Sequence, residues 1–150
     1  GYTGSGIRVG VFEDSAIDFS HPALSHANGG SCGTPSAPLS EPHATIVAGV
    51  IAANHPSVQG LAPDATLVGI HYDETWESIN EALTCAVLQK DVDIINVSNV
   101  FGQEHEESTN ALFDYLVWSY GVTVVVSAGN VMAEIFLFRE QHGMSLLLAG

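Results

Sequence analysis

Basic residues are almost missing from this sequence: Lys and Arg number 3 against 17 Asp and Glu, a formal net charge of −14. A surface that acidic repels phosphate, so nucleic acid and anionic membranes are poor partners. Charge of either sign is scarce, 13% of residues against about 25% in ordinary globular chains, while 46% are hydrophobic. That balance excludes a disordered chain, which combines low hydrophobicity with high charge. No apolar run approaches the ~20 residues of a membrane-spanning helix. The opening GYTGSGIRVG lacks the charged and apolar regions of a signal peptide, so any such segment is expected outside this sequence. The two cysteines, Cys32 and Cys85, lie too far apart for a CxxC redox or zinc motif. An acidic, lysine-poor chain suits an extracytoplasmic or secreted location, where such a pair can close one disulfide, with two free thiols as the alternative. There is no internal repeat and no low-complexity segment, and 150 residues is the size of one domain or of half a larger one.

What is present is an alternation of short apolar runs with helical periodicity. Residues 7–12 read as a buried strand and residues 19–41 as a long loop rich in Gly, Ser, Pro and Asn. Pro42 fits the first position of a helix whose apolar face is Ile46, Val47, Val50 and Ile51. A second strand, 65–72, follows the turn Gly60-Leu61-Ala62-Pro63. Thr75 caps a helix running to about Gln89, with Glu77 in its first turn. Residues 93–98 read as a third strand, and 109–119 as a helix with Leu112, Tyr115 and Leu116 inward. Residues 122–127 (VTVVVS) read as a fourth strand. Strands this uniformly apolar are buried on both faces, as in parallel sheets. The order β-α-β-α-β-α-β predicts right-handed crossovers and a doubly wound α/β fold, mainly parallel, with helices on both faces. In such folds active residues gather at the C-terminal ends of strands. That rule singles out Glu13, Asp14, residues 98–102 and Asn130.

A carboxylate closing the first strand can orient a histidine, bind a metal or accept a phosphoryl group, or simply be solvated. His43 sits in the first turn of a long apolar helix, where the positive end of the dipole disfavours imidazolium. The ring is thereby kept in the neutral state a general base requires. The chain holds 7 histidines, so a structural role is the ordinary one, but the small neighbours Ala44, Ala48 and Gly49 point to close backbone packing around His43. Asn130 follows Ser127-Ala128-Gly129 at a strand end. Its amide NH2 can donate to a developing oxyanion, or serve its own turn.

In order and context these segments resemble the subtilisin-like serine peptidases, the subtilases. The opening GYTGSGIRVGVF is similar to the start of that catalytic domain, and Asp14-Ser15-Ala16-Ile17-Asp18 to the stretch around the family's catalytic Asp. His43-Ala44-Thr45-Ile46-Val47-Ala48-Gly49 resembles H-G-T-H-V-A-G, and Gly60-Leu61-Ala62-Pro63 resembles the G-V-A-P turn. Residues 93–98 are similar to the strand leading to the substrate-binding segment, here Ser98, Asn99 and Val100, and Ser127-Ala128-Gly129-Asn130 to the oxyanion-hole motif. The resemblance is collinear over residues 1–130, the N-terminal part of a catalytic domain, and fades over 131–150.

The resemblance implies a serine endopeptidase acting on polypeptide. His43 would be the general base, an acid at 13 or 14 its orienter, and Asn130 the oxyanion donor. Motif matching favours Asp14, at the cost of an extra residue at the strand end such as a bulge. Strand alternation favours Glu13, which shares a face with Val9 and Val11. No cofactor is expected: the family's structural calcium lacks its usual ligands, because Ala23 replaces an Asp and the loop 54–59 is short. Further departures are Ala44 for Gly, Ile46 for the second His, and Asn99-Val100-Phe101 for Leu-Gly-Gly. The G-T-S-M-A nucleophile motif has no counterpart beyond a superficial echo at Gly143-Met144-Ser145. The chain is therefore expected to be inactive alone and to require the missing C-terminal half of the domain. A non-catalytic peptide-binding module on the same scaffold is the second reading. A phospho-receiver or nucleotide-binding domain is a third, disfavoured because the sole Lys, Lys90, lies near a helix end and no G-x-G-x-x-G follows the first strand.

Overall fold

The computed structural model describes residues 1–73, 75–99, 106–127 and 147–149. Six strands form one sheet in the order β2-β5-β1-β6-β7-β8: β1 (Arg8–Glu13), β2 (Asn28–Cys32), β5 (Thr66–His71), β6 (Ile94–Val97), β7 (Thr123–Ser127) and β8 (Leu147–Ala149). Every pairing in it is parallel. A small antiparallel hairpin, β3 (Asn54–His55) with β4 (Val58–Gln59), stands apart from it. Three α-helices, α1 (His43–Ala52), α2 (Trp76–Leu88) and α3 (Glu106–Tyr120), and a short 3-10 helix at Ser25–Ala27 complete the described fold. This is the doubly wound α/β architecture expected from the alternation of elements.

Alternating strand residues feed two separate cores. Phe12, Val68, Ile70, Ile95, Val97 and Val124 pack with α2 and α3, while Val9, Val11 and Leu67 pack with α1 on the opposite face. The chain leaves β1 over the α1 face and leaves β6 over the other face. The crevice at the carboxyl ends of β1 and β6 is therefore a topological switch point, where ligands bind in open α/β sheets.

Local chemistry accounts for most boundaries. Thr75 caps α2 by accepting a hydrogen bond from Ser78 N at 3.2 Å, and Glu77 lies in the first turn. Pro42 is the N-cap of α1 rather than its first helical residue, so the helix opens on His43 itself. Gly33 follows β2 with φ +74°, and a Cβ there would lie 1.9 Å from the His71 carbonyl oxygen, so only glycine fits.

Three expectations are corrected. The segment 19–41 is not all loop: residues 28–32 add an edge strand beside β5, in a sequence (NGGSC) that carries no strand signal, and the register shifts between Asn28 and Ser31. The fully buried face of α1 is Ala44, Ala48 and Ala52; of the expected apolar face Val47 and Ile51 are half-buried against the same core, whereas Ile46 and Val50 are about three-fifths exposed. Small side chains win there because the helix lies close to the sheet. In α3 Tyr115 points outward and Phe113 takes the core position beside Leu116, with Thr109 one turn earlier also buried.

Cys32 and Cys85 are joined in a disulfide, Cα–Cα 5.9 Å, which ties the edge strand to α2. Closing 53 residues of separation stabilises by about 4 kcal/mol if the whole effect is unfolded-chain entropy. Replacing both cysteines by Ser should lower the urea-unfolding free energy by roughly 2–4 kcal/mol. The alanine face gives a second expectation. Ala48→Leu should cost about 1–3 kcal/mol by overpacking, while Ile46→Gln and Val50→Gln should stay within about 0.5 kcal/mol of the parent, all read from urea midpoints.

Candidate active site

Strand β1 runs without a bulge from Arg8 to Glu13, in unbroken register with residues 66–71 of β5. Its alternation therefore continues to the end and places Glu13 on the α1 face with Val9 and Val11. Helix α1 starts directly above that point, and its first residue is His43. The result is a contact of 3.1 Å between Glu13 Oε2 and His43 Nδ1. Of the two neighbouring acids it is Glu13, not Asp14, that reaches the imidazole. Asp14 lies half-buried beside the pair, and its carbonyl accepts a hydrogen bond from Ala37 N at 3.0 Å.

The pair is asymmetric. The Glu13 side chain is 1% exposed and that of His43 is 47% exposed. Burial pushes the Glu13 carboxyl above its ordinary 4.5; the neighbouring His43 charge and hydrogen bond pull it part of the way back, and Asp14 adds a smaller upward push. A buried carboxylate alone costs several kcal/mol, and a hydrogen-bonded cationic partner offsets much of that.

The surrounding loops fix the pair from both sides. Ser15 is fully buried and faces the first turn of α1, with Ala44 N 3.4 Å from its Oγ. Thr45 Oγ1 accepts from Asp18 N at 2.9 Å, a second tie between the post-β1 loop and the helix. Across the crevice, Ser98 Oγ accepts from Asn96 Nδ2 at 2.9 Å, and Asn99 Nδ2 donates to the Tyr72 hydroxyl at 2.6 Å. Tyr72 in turn packs against Phe12, ring centroids 4.6 Å apart, so the end of β6 is seated on the core behind β1. Val100, Asn130 and Ser145 lie outside the described residues.

Sequence reasoning missed His71. It closes β5 directly opposite Glu13, is 2% exposed, and burial pushes its pKa below the ordinary 6.5. The same alternation that favours Glu13, applied to β5, would have placed it on the Glu13 side.

A small cleft lies between the 21–23 loop and the β3–β4 hairpin. It is lined by His21, Pro22, Ala23, His55, Ser57 and Val58, whereas calcium requires several oxygen ligands, carboxylates foremost. His21 Nδ1 accepts from Ala23 N, and His55 Nδ1 meets Ser57 Oγ, so both rings are turned to their own loops. Among the described residues no group of three or more His, Cys, Asp or Glu is placed to hold a metal.

Residues 4–144 match the model of the subtilase family, Peptidase_S8, and the chain belongs to that family. Its fold is similar to that of the patellamide maturation protease PatA, at 24% identity and TM-score 0.64, over 86% of this chain and 50% of that one. It is likewise similar to the PatG macrocyclase domain, at 15% identity and TM-score 0.64, over 86% of this chain and 52% of that one. The psychrophilic subtilisin-like protease Apa1 from the Antarctic psychrotroph Pseudoalteromonas sp. AS-11 matches at 23% identity and TM-score 0.62, over 85% of this chain and 32% of that one. The chain thus spans about half the length of the first two and about a third of Apa1.

The raised Glu13 carboxyl sets a pH signature. An acid whose folded pKa lies above its unfolded value adds stability that is full below the unfolded value and lost as pH rises through the folded one. Glu13→Gln keeps the neutral shape and removes the titration. Its stability relative to the parent should therefore improve as pH rises above the ordinary carboxylate range, measured by urea unfolding at each pH. A pH-independent difference would contradict the assignment of the shift to Glu13.

Proposed function

We propose that residues 1–130 are the N-terminal part of a catalytic domain that cleaves polypeptides by acyl transfer, with Glu13 orienting His43 and His43 acting as general base. The observation that carries this reading is the 3.1 Å contact between a buried carboxylate and a half-exposed imidazole at the strand-end crevice of a subtilase-family chain. Glu13 accepts a hydrogen bond from Nδ1–H, which fixes the tautomer and leaves Nε2 as the basic nitrogen. Nε2 takes the proton of a serine hydroxyl as it attacks the scissile carbonyl, and later delivers it to the leaving amine. Glu13 stabilises the imidazolium between those steps. Asn130 donates to the tetrahedral oxyanion, and Ser98, Asn99 and Val100 pair with extended substrate as an added strand.

The nucleophile is assigned to a segment with a G-T-S-M-A motif, which this sequence does not contain, so the 150 residues alone are proposed to be inactive. An extracytoplasmic location is supported by the Cys32–Cys85 disulfide. A non-catalytic peptide-binding role is favoured by one observation, the replacement of Leu-Gly-Gly by Asn99-Val100-Phe101 in the segment that receives substrate.

The experiment joins these residues to a subtilase segment carrying the serine. Glu13→Gln should lower kcat by roughly 10⁴-fold, the scale on which a triad loses activity when its acid no longer holds the tautomer. Asp14→Asn should change it little, and His43→Ala should abolish turnover with an unchanged far-UV spectrum. Near-normal kcat in His43→Ala would overturn the assignment of His43 as general base, and a joined chain that folds and binds peptide without turnover would leave the binding-module reading. The chain by itself should not react with a fluorophosphonate probe; labelling at Ser145 that vanishes in His43→Ala would overturn its proposed inactivity.

A further inference from the structure

Buried side-chain atoms without a hydrogen-bond partner number three among the described residues: Glu13 Oε1, His71 Nδ1 and Thr109 Oγ1. Two of the three belong to neighbours. Glu13 and His71 are register partners across the parallel β1–β5 pair, on strands ~4.8 Å apart, and register partners in a parallel ladder point to the same face. Both are buried, at 0% and 2% exposure. Thr109 lies on α3, whose buried side faces the opposite core. The imidazole has a dedicated space. A Cβ on Gly69 would lie 2.3 Å from His71 Nε2 and 2.7 Å from Cε1, so the ring folds back over a glycine that must stay a glycine.

We propose that His71 is a positioning residue for Glu13, a buried imidazole that braces the carboxylate and the adjoining main chain from behind so that Oε2 is presented to His43. The proposal rests on the reading of Glu13 as the partner of His43. His43 and Asp14 both act on the carboxylate, and Ser15 lies against the first turn of α1. Beside Glu13 on the neighbouring strand is His71, whose ring is influenced by main-chain groups of Glu13 and Ser15 and lies over Gly69. Burial pushes the pKa of that ring below its ordinary 6.5, which works against a second positive charge beside the acid. The imidazolium-stabilising power of Glu13 is thereby directed at His43. Glutamate has one more rotatable bond than aspartate, and its carboxylate needs such a stop to hold one orientation.

The test uses the 15N- and 13C-labelled chain and reads imidazole nitrogens and the Glu13 carboxyl across pH, with no dependence on turnover. In the unaltered chain the His71 ring should stay neutral while His43 titrates, and its nitrogens should shift in the same step as the Glu13 carboxyl carbon. In His71→Leu the His43 ring-nitrogen shifts should move toward those of an unpaired imidazole as its anionic partner loses orientation, and the low-field Nδ1 proton of His43 should weaken. His71→Gln, which keeps a polar head of similar reach, should restore most of both signals. A folded His71→Leu chain with unchanged His43 signals overturns the proposal. So do His71 nitrogens that are flat through the Glu13 step, a measurement that needs no variant to fold. Glu13→Gln separates the two readings: if it leaves the His43 titration unchanged, the Glu13–His43 assignment itself fails. If it lowers that titration while His71→Leu leaves the His43 shifts unmoved, only the bracing role fails.

Discussion

Strand β1 is hydrogen-bonded along both edges and packed on both faces, and it nevertheless ends in a carboxylate. The other elements take their places from that conflict. Its register with β5 and β6 leaves Glu13 no water to face, so the ion is tolerable only if a cationic or strongly donating partner meets it at the strand end. Helix α1 supplies that partner with its first residue, and the ties from Ser15 and Asp18 to the helix hold the two elements together where the contact is made. The site is thus a consequence of how the central strand terminates rather than an addition to a finished fold.

Glu13 is buried and His43 half-exposed, and His71, buried beside Glu13 on the neighbouring strand, has its pKa pushed below the ordinary 6.5 by burial. The 3.1 Å contact between Glu13 and His43 is made where helix α1 begins, so a strand end and a helix start meet at one pair.

Much of this was legible in the sequence because it depends on periodicity. The four apolar runs became β1, β5, β6 and β7, and alternation along β1 pointed to Glu13 even though the motif resemblance pointed to Asp14. Positions decided by separation rather than pattern were not legible. Residues 28–32 form an edge strand without β-branched side chains, held by β5 on one side and by Cys32 at its end. The innermost positions of α1 are alanines, with Val47 and Ile51 only flanking them and Ile46 and Val50 outside, because distance to the sheet decides which side chain fits there. His71 escaped notice for a related reason: its meaning comes from a residue 58 positions earlier (71 − 13) that only the β1–β5 register brings beside it.

The alanines of α1 act as a caliper. Ala44, Ala48 and Ala52 are each 0% exposed and lie one helical turn apart, so a single methyl group at each level sets the gap between helix axis and sheet. The imidazole rides on the end of that helix while its carboxylate is fixed to the sheet. The spacing of the pair is therefore gauged by residues up to nine positions beyond His43 (52 − 43). Adding one carbon at successive levels of the caliper would tilt or lift the helix by small steps. That offers a way to tune the 3.1 Å contact between Glu13 and His43 from the far end of a helix, with both residues left unaltered.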